Sequence, residues 1–153
     1  MILRQAKAED LHIIMNWIRD EKSCRIWAGP GLRFPFVWDR LITDLGFFTY
    51  DTYVLADNKD NPVGLGQIID RDGHQHLARI LVNPDCRGLG YGRVLCNKLI
   101  ERGRSQNKNK PFSLNVNRHN KVAIKLYESL GFIISPNQKT IPTPDSIFMI
   151  RSA

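Results

Sequence analysis

The chain has 153 residues, 42% hydrophobic and 24% charged, a composition that excludes disordered and fibrous classes and fits one globular domain over residues 1–153. No apolar run approaches the ~18 residues of a membrane-spanning helix, and Met1-Ile-Leu-Arg4 runs straight into polar sequence, which argues against a secretory leader. The net charge of +7 is concentrated in one stretch, because residues 87–125 hold ten Lys or Arg against the single acid Glu101 while the remainder carries −2.

Ile2 to Gln5 reads as a first strand, and Ala8 to Arg19 as a helix, since apolar residues at 11, 14, 15 and 18 keep the spacing of one helical face. Glu21 to Pro35, broken by glycine and proline, is expected to be irregular; Trp27, Phe34, Phe36 and Trp38 give this region an aromatic character. Asp39 to Leu45 reads as a short helix and Thr52 to Ala56 as a strand, followed by the turn cluster Asp57-Asn-Lys-Asp-Asn-Pro62. Val63 to Ile69 and His76 to Val82 are strands joined at Asp70-Arg-Asp-Gly73; Asn83-Pro84 ends the second, because proline has no N–H for a ladder.

Gly90 to Arg104 is expected to be helical, with an apolar stripe at 91, 94, 95, 99 and 100 on a basic background. Phe112 to Val116 reads as a strand. Asn120 to Leu130 repeats Val122, Ala123, Leu126, Tyr127 and Leu130 at helical spacing and closes on Gly131. Phe132 to Ile134 and Ile147 to Ile150 read as final strands around the proline-bearing loop 135–146. The order implies a mixed sheet with helices on its faces. The three cysteines, 24, 86 and 96, have no paired or C-x-x-C spacing, which predicts neither disulfide nor zinc site and fits a reducing, cytoplasmic setting.

The segment Val82-Asn-Pro-Asp-Cys-Arg87-Gly88-Leu-Gly90-Tyr-Gly92-Arg93 turns from a strand into a helix through three glycines on alternate residues. Glycines permit close backbone approach, and free N–H groups at a helix start attract anions, a diphosphate above all. The G-x-G-x-G spacing is not the dinucleotide G-x-G-x-x-G, and no G-K-[ST] follows as in a P-loop. Glycines that only shape a tight turn are the structural alternative.

About thirty residues on comes Asn115-Val-Asn117-Arg-His-Asn120-Lys-Val-Ala123-Ile-Lys-Leu-Tyr127-Glu-Ser-Leu-Gly131-Phe132. Together the two motifs resemble the GNAT superfamily of N-acetyltransferases, small single-domain bacterial members in particular. The resemblance implies a mixed, mostly antiparallel α/β sheet with about four helices and transfer of an acetyl group from acetyl-coenzyme A to a primary amine by direct attack, without a metal. It further implies that Arg87, Gly88, Leu89, Gly90, Tyr91 and Gly92 bind the pyrophosphate, and that Ile80, Leu81 and Val82 pair with the pantetheine arm. Asn120 would hydrogen-bond the cofactor, and Tyr127 would act near its sulfur. The basic stretch 87–125 then faces the cofactor's phosphates.

Tyr127 also reads as a core tyrosine on a leucine-rich helix. Asn115 stands where some relatives carry a glutamate base, and asparagine takes no proton. That leaves His74, His76 and His119 as titratable candidates. The segment from Cys24 to Trp38 is expected to wall the acceptor site, to form an apolar lid, or both. The −2 balance outside 87–125 predicts a cationic or neutral acceptor, small molecule or peptide, while Arg25 and Arg33 are a counter-signal for a carboxylate. A catalytically inactive coenzyme A-binding or interaction module is the alternative. Nucleic acid is supported by charge alone, with no stacking platform beside it. No membrane partner is expected, and the chain would act as a monomer or homodimer.

Overall fold

The computed structural model describes residues 1–136 and 143–153; residues 137–142, most of the expected proline-bearing loop, lie outside the described residues. The elements are β1 (Ile2–Gln5), α1 (Ala8–Ile14), α2 (Glu21–Ala28), α3 (Trp38–Leu45), β2 (Asp51–Ala56), β3 (Pro62–Arg71), β4 (His74–Val82), α4 (Tyr91–Gln106), β5 (Phe112–Asn117), α5 (Lys121–Ser129), β6 (Ile133–Ile134) and β7 (Ser146–Arg151). The seven strands lie in the order β1-β2-β3-β4-β5-β7-β6. Only the β4–β5 pair is parallel, because α4 carries the chain back across the sheet between them.

Two expectations are corrected. Glu21 to Ala28 is helical rather than irregular: the Asp20 carboxylate accepts the Ser23 N–H at 2.7 Å and caps the helix start. The glycine and proline that suggested a loop begin only at Gly29, where the helix ends at φ 67°. The helix expected through Arg19 stops at Ile14 and tightens into a 3-10 turn over Met15–Trp17. There are thus five α-helices among the described residues.

The sheet separates two cores. On one side α4 and α5 pack Leu95, Leu99, Ile100 and Tyr127 onto Leu77, Phe112, Leu114 and Met149. On the other, α1 to α3 pack Leu11, Ile14, Cys24, Leu41 and Leu45 onto Val54, Leu65 and Leu81. Helix α4 lies so close to the sheet that a Cβ at Gly103 would come within 2.6 Å of Phe112 Cε1 and 2.7 Å of Gln75 Oε1. Replacing a helical glycine ordinarily gains up to about 1 kcal/mol of helix propensity. Here overpacking, typically 1–3 kcal/mol, acts against a ring that is wholly buried. Gly103→Val should therefore lower the urea midpoint of unfolding; an unchanged or raised midpoint would contradict this packing.

Two irregularities open the sheet's centre. Leu65 pairs Leu81 and Gln67 pairs Ala78, so Gly66 faces both Arg79 and Ile80, with Arg79 at φ 49°. This is a β-bulge, which bends its strand. The parallel β4–β5 pairing runs only through Gln75–Phe112, His76–Ser113 and Leu77–Leu114. Beyond Leu77 the two strands part, and among the described residues the β5-side edge of β4 from Ala78 to Val82 has no strand beside it.

Candidate functional site

The glycine loop lies at the end of that parted strand. Asn83 Oδ1 accepts the Asp85 N–H at 3.0 Å and shapes a 3-10 turn over Pro84–Cys86. The chain then passes Gly88 at φ 77° and Gly90 at φ 83° into α4. Gly90 is the helix N-cap and provides no side-chain cap. Among the described residues, none of the backbone N–H groups from Gly88 to Arg93 donates to another backbone group; the first bond of the helix is Val94 N–H to the Gly90 carbonyl, at 3.2 Å. Added Cβ atoms at Gly88 and Gly90 would meet nothing within 4 Å, so both glycines line open space. Free donors converge there at the positive end of a 16-residue helix, the electrostatics a pyrophosphate requires. Arg87, Leu89 and the glycines beside them are exposed, and Tyr91 and Gly92 half-buried.

Ile80 and Val82 turn toward the α4–α5 core and Leu81 toward the other, so the free backbone edge of β4 runs directly into the glycine loop. The residues fit a coenzyme A: an unpaired strand edge can hydrogen-bond the amides of the pantetheine arm, and the loop can receive the diphosphate. Of the ten cations between 87 and 125, only Lys110 and Arg118 lie near a carboxylate among the described residues. Asn120 caps α5, its Oδ1 accepting the Ala123 N–H at 3.3 Å, which leaves its amide nitrogen free to donate.

Tyr127 is buried on α5, its ring edge-on to Phe132 with centroids 6.1 Å apart. Burial, with a smaller contribution from Cys96, pushes its phenol well above the ordinary tyrosine value. The hydroxyl therefore stays protonated across the working range, able to donate a hydrogen bond. The core reading of Tyr127 holds: it is a packed core residue with one polar tip. Burial also pushes the Cys96 thiol up to about 12, which keeps it protonated and inert.

The opposite face of the parting strands, beneath α2, carries polar groups. Leu114 and Val116 of β5 belong to the α4–α5 core, so by strand alternation Ser113 and Asn115 face α2. His76 is buried here, its Nδ1 2.9 Å from Ser113 Oγ. Burial, then the charges of Arg71, His74 and Arg79, lower its pKa to about 3, so His76 is a neutral structural histidine and a poor base. His74 sits at the far end of β4 beside Phe148. His119 lies exposed in the β5–α5 turn, 3.8 Å from Asp145. The three histidines are not brought together.

Arg25 and Arg33 both have carboxylate partners: Arg25 meets Glu21 at 2.9 Å, and Arg33 forks onto Asp44 at 2.8 and 3.0 Å. Arg79, which pattern reading passed over, has no carboxylate in ion-pair contact among the described residues and is bonded by neutral groups instead. Its NH1 donates to Gln67 Oε1 at 2.8 Å and its NH2 to the Asp44 carbonyl at 3.3 Å. The available signal was an arginine in the apolar run Leu77-Ala-Arg79-Ile-Leu-Val82. Cleft-lining residues Glu21, Cys24, Arg25, Pro30, Arg33 and Phe34 surround about 420 Å³ between α2 and the turn that follows it, so the Cys24–Trp38 segment both packs on the sheet and walls a cavity. Among the described residues no three His, Cys, Asp or Glu side chains converge as a metal site would need, and no helix is long and apolar enough to cross a membrane.

Comparison with known proteins accords with this geometry. The family model described as "Acetyltransferase (GNAT) family" matches residues 11–132. The peptidyl-lysine N-acetyltransferase YjaB of Escherichia coli (strain K12) is 31% identical over 83 residues, covering 54% of this chain and 50% of that protein. The chain thus aligns with half or less of the length of the curated relatives it matches. Spermidine N-acetyltransferase from Vibrio cholerae, solved with CoA and spermine, superposes with a TM-score of 0.74 at 21% identity, covering 97% of this chain and 92% of that one. A phosphinothricin acetyltransferase from Sinorhizobium meliloti, solved with AcCoA, gives 0.74 at 21% identity over 99% and 87%. At such identities the structural likeness speaks for the fold, and the family match, over most of the chain, for descent: the chain belongs to the GNAT family of acetyltransferases.

Proposed function

We propose that this chain is an N-acetyltransferase that moves an acetyl group from acetyl-coenzyme A to a primary amine by direct attack, within one domain over residues 1–153. The observation that carries the reading is the junction at the end of β4, where an unpaired strand edge meets the uncommitted N–H groups of residues 88–93. Acetyl-coenzyme A supplies the acetyl group as a thioester. Arg87, Gly88, Leu89, Gly90, Tyr91 and Gly92 hold its diphosphate, the backbone of Ile80 to Val82 aligns its arm, and Asn120 adds a hydrogen bond. The amine nitrogen, entering beneath α2, forms the N–C bond as the C–S bond breaks; it gives up one proton, and the sulfur departs as a thiol. Tyr127 donates a hydrogen bond to that sulfur as charge builds on it.

The activities that similar proteins are named for, on peptidyl-lysine and on spermidine, support an amine as acceptor. The protein works in the cytoplasm as a monomer or homodimer, without nucleic acid or membrane as partner. Three free cysteines, two of them buried, suit a reducing compartment. The test is thiol release from acetyl-coenzyme A over a panel of amines, with mass spectrometry of the acceptor. Acceptors heavier by one acetyl group are expected; coenzyme A binding with no acetylated product across amino acids, polyamines and peptides would favour the inactive binding module.

A further inference from the structure

Beneath α2 and the turn after it, three polar atoms are buried without a hydrogen-bond partner among the described residues: Trp27 Nε1, Arg79 Nε and Asn115 Oδ1. The only other such atom in the described residues, Arg40 Nε, sits on α3, where a second nitrogen of Arg40 bonds the Pro35 carbonyl at 2.8 Å. Native folds rarely leave buried polar atoms unpaired, so three on one face of the parted strands call for a ligand. Their chemistry describes it. Trp27 and Arg79 offer N–H donors, and Asn115 offers a carbonyl oxygen at the first β5 position past the last β4–β5 rung.

Arg79 sets the charge. Both of its protein acceptors are neutral, and Asp44, the carboxylate whose charge reaches it, is forked by Arg33. Burial lowers its pKa from the ordinary arginine value, as expected of a cation held without its own anion. Gly31 lies beside it: a Cβ there would stand 3.7 Å from NH2, an ordinary contact distance, so the turn after α2 closes over the guanidinium.

We infer that the acceptor is an amino acid, an amine bearing a carboxylate: Arg79 and Trp27 receive the carboxylate, and Asn115 Oδ1 accepts from the amine. The inference rests on the acetyl-transfer reading and names its acceptor class. It reverses the preference for a cationic acceptor drawn from the −2 balance, because five of the fourteen acids in that part of the chain are already engaged: Glu21 by Arg25, Asp44 by Arg33, Asp70 by Lys110, and Asp10 and Asp60 by Arg4. Asn115 is a positioning residue here and Arg79 a specificity residue.

The test pairs amino acids with their decarboxylated amines, such as phenylalanine with phenethylamine and leucine with isopentylamine, and adds spermidine. Binding to the coenzyme A-saturated protein is measured by calorimetry and turnover by thiol release. The carboxylate-bearing member of each pair should bind about 10²-fold more tightly, the scale of a buried charged hydrogen-bonded contact. Arg79→Gln should remove that difference, Arg79→Lys should retain part of it, and both should keep wild-type coenzyme A affinity. Asn115→Ala should weaken both members of a pair. Equal binding within pairs, spermidine as the tightest ligand, or a preference that survives Arg79→Gln would overturn the inference. If Arg79→Gln fails to fold, the wild-type pairs still decide. Carboxylate-dependent binding without any turnover would sink the acetyl-transfer reading and reduce this one to an amino-acid binding site; turnover of decarboxylated amines at equal efficiency would sink the amino-acid preference and leave acetyl transfer standing.

Discussion

Gly90→Val is expected to reduce coenzyme A affinity by at least 10²-fold while leaving the protein folded. Gly90 has φ 83°, caps α4, and borders space with no protein atom within 4 Å of an added Cβ. A valine there meets no neighbour, but its isopropyl group stands where the diphosphate must approach. Its branched side chain also resists the left-handed conformation, a strain of order 1–3 kcal/mol against a domain stability of about 5–15 kcal/mol. Charge-assisted hydrogen bonds contribute about 1.5–3 kcal/mol each, so losing two already exceeds a factor of 10². Gly92 is the poorer probe, because its added Cβ would press within 3.3 Å of Leu126 and mix folding with binding. Calorimetry with coenzyme A, beside thermal unfolding of the same variant, separates the two. Wild-type affinity in Gly90→Val would remove the diphosphate from this loop.

Tyr127→Phe should lower kcat by about 10²- to 10⁴-fold, the range for loss of one acid–base group, with little change in the KM for acetyl-coenzyme A. The selectivity follows from when the interaction exists: a hydrogen bond to sulfur strengthens only as the C–S bond breaks, so its loss falls on the transition state. In water a phenol titrates near ~10 and a thiol near ~8.5, so full proton transfer from tyrosine to sulfur is already uphill. Burial raises the Tyr127 phenol further, which favours donation of a hydrogen bond over release of the proton. With the phenol protonated throughout and His76 neutral down to about pH 3, neither group places a limb near neutrality. The pH–rate profile of the variant should therefore keep its wild-type shape at lower height. Asn115→Ala should keep that shape too, since the amine's own ionisation sets it. A near-wild-type kcat in Tyr127→Phe would end the role assigned to the phenol; a basic limb lost in Asn115→Ala would make position 115 the organiser of a base.

The glycine turn ahead of α4 was legible in the sequence because its features are local. Three alternate glycines after a strand stopped by Asn83-Pro84 leave few backbone paths, and the structure has that turn running into α4 within one residue of the expected start. The polar face beneath α2 was not. Helix α2 was read as a loop because Gly29, Pro30 and Gly31 drew attention away from its Asp20 cap. Arg79 was missed because its environment comes from α3 and β3, through Asp44 and Gln67, neither adjacent to it in the chain. Arg25 and Arg33 stood out as free charges, but their carboxylates, one four residues back along a helix and the other eleven residues on, remove them from contention.

The bulge at Arg79 sets the phase of everything after it. Leu77 faces the α4 core, so strict alternation would send Arg79 and Leu81 to the same side and Ile80 and Val82 away from it. One extra residue inverts that parity: Ile80 and Val82 line the α4 side, while Arg79 escapes the dry core and reaches Gln67 and Asp44. Donor-side backbone and acceptor-side charge are therefore set by the same single-residue offset. Deleting Ile80 would close the bulge and turn Arg79 toward the α4 core, while Leu81 and Val82 keep their partners Leu65 and Gly64.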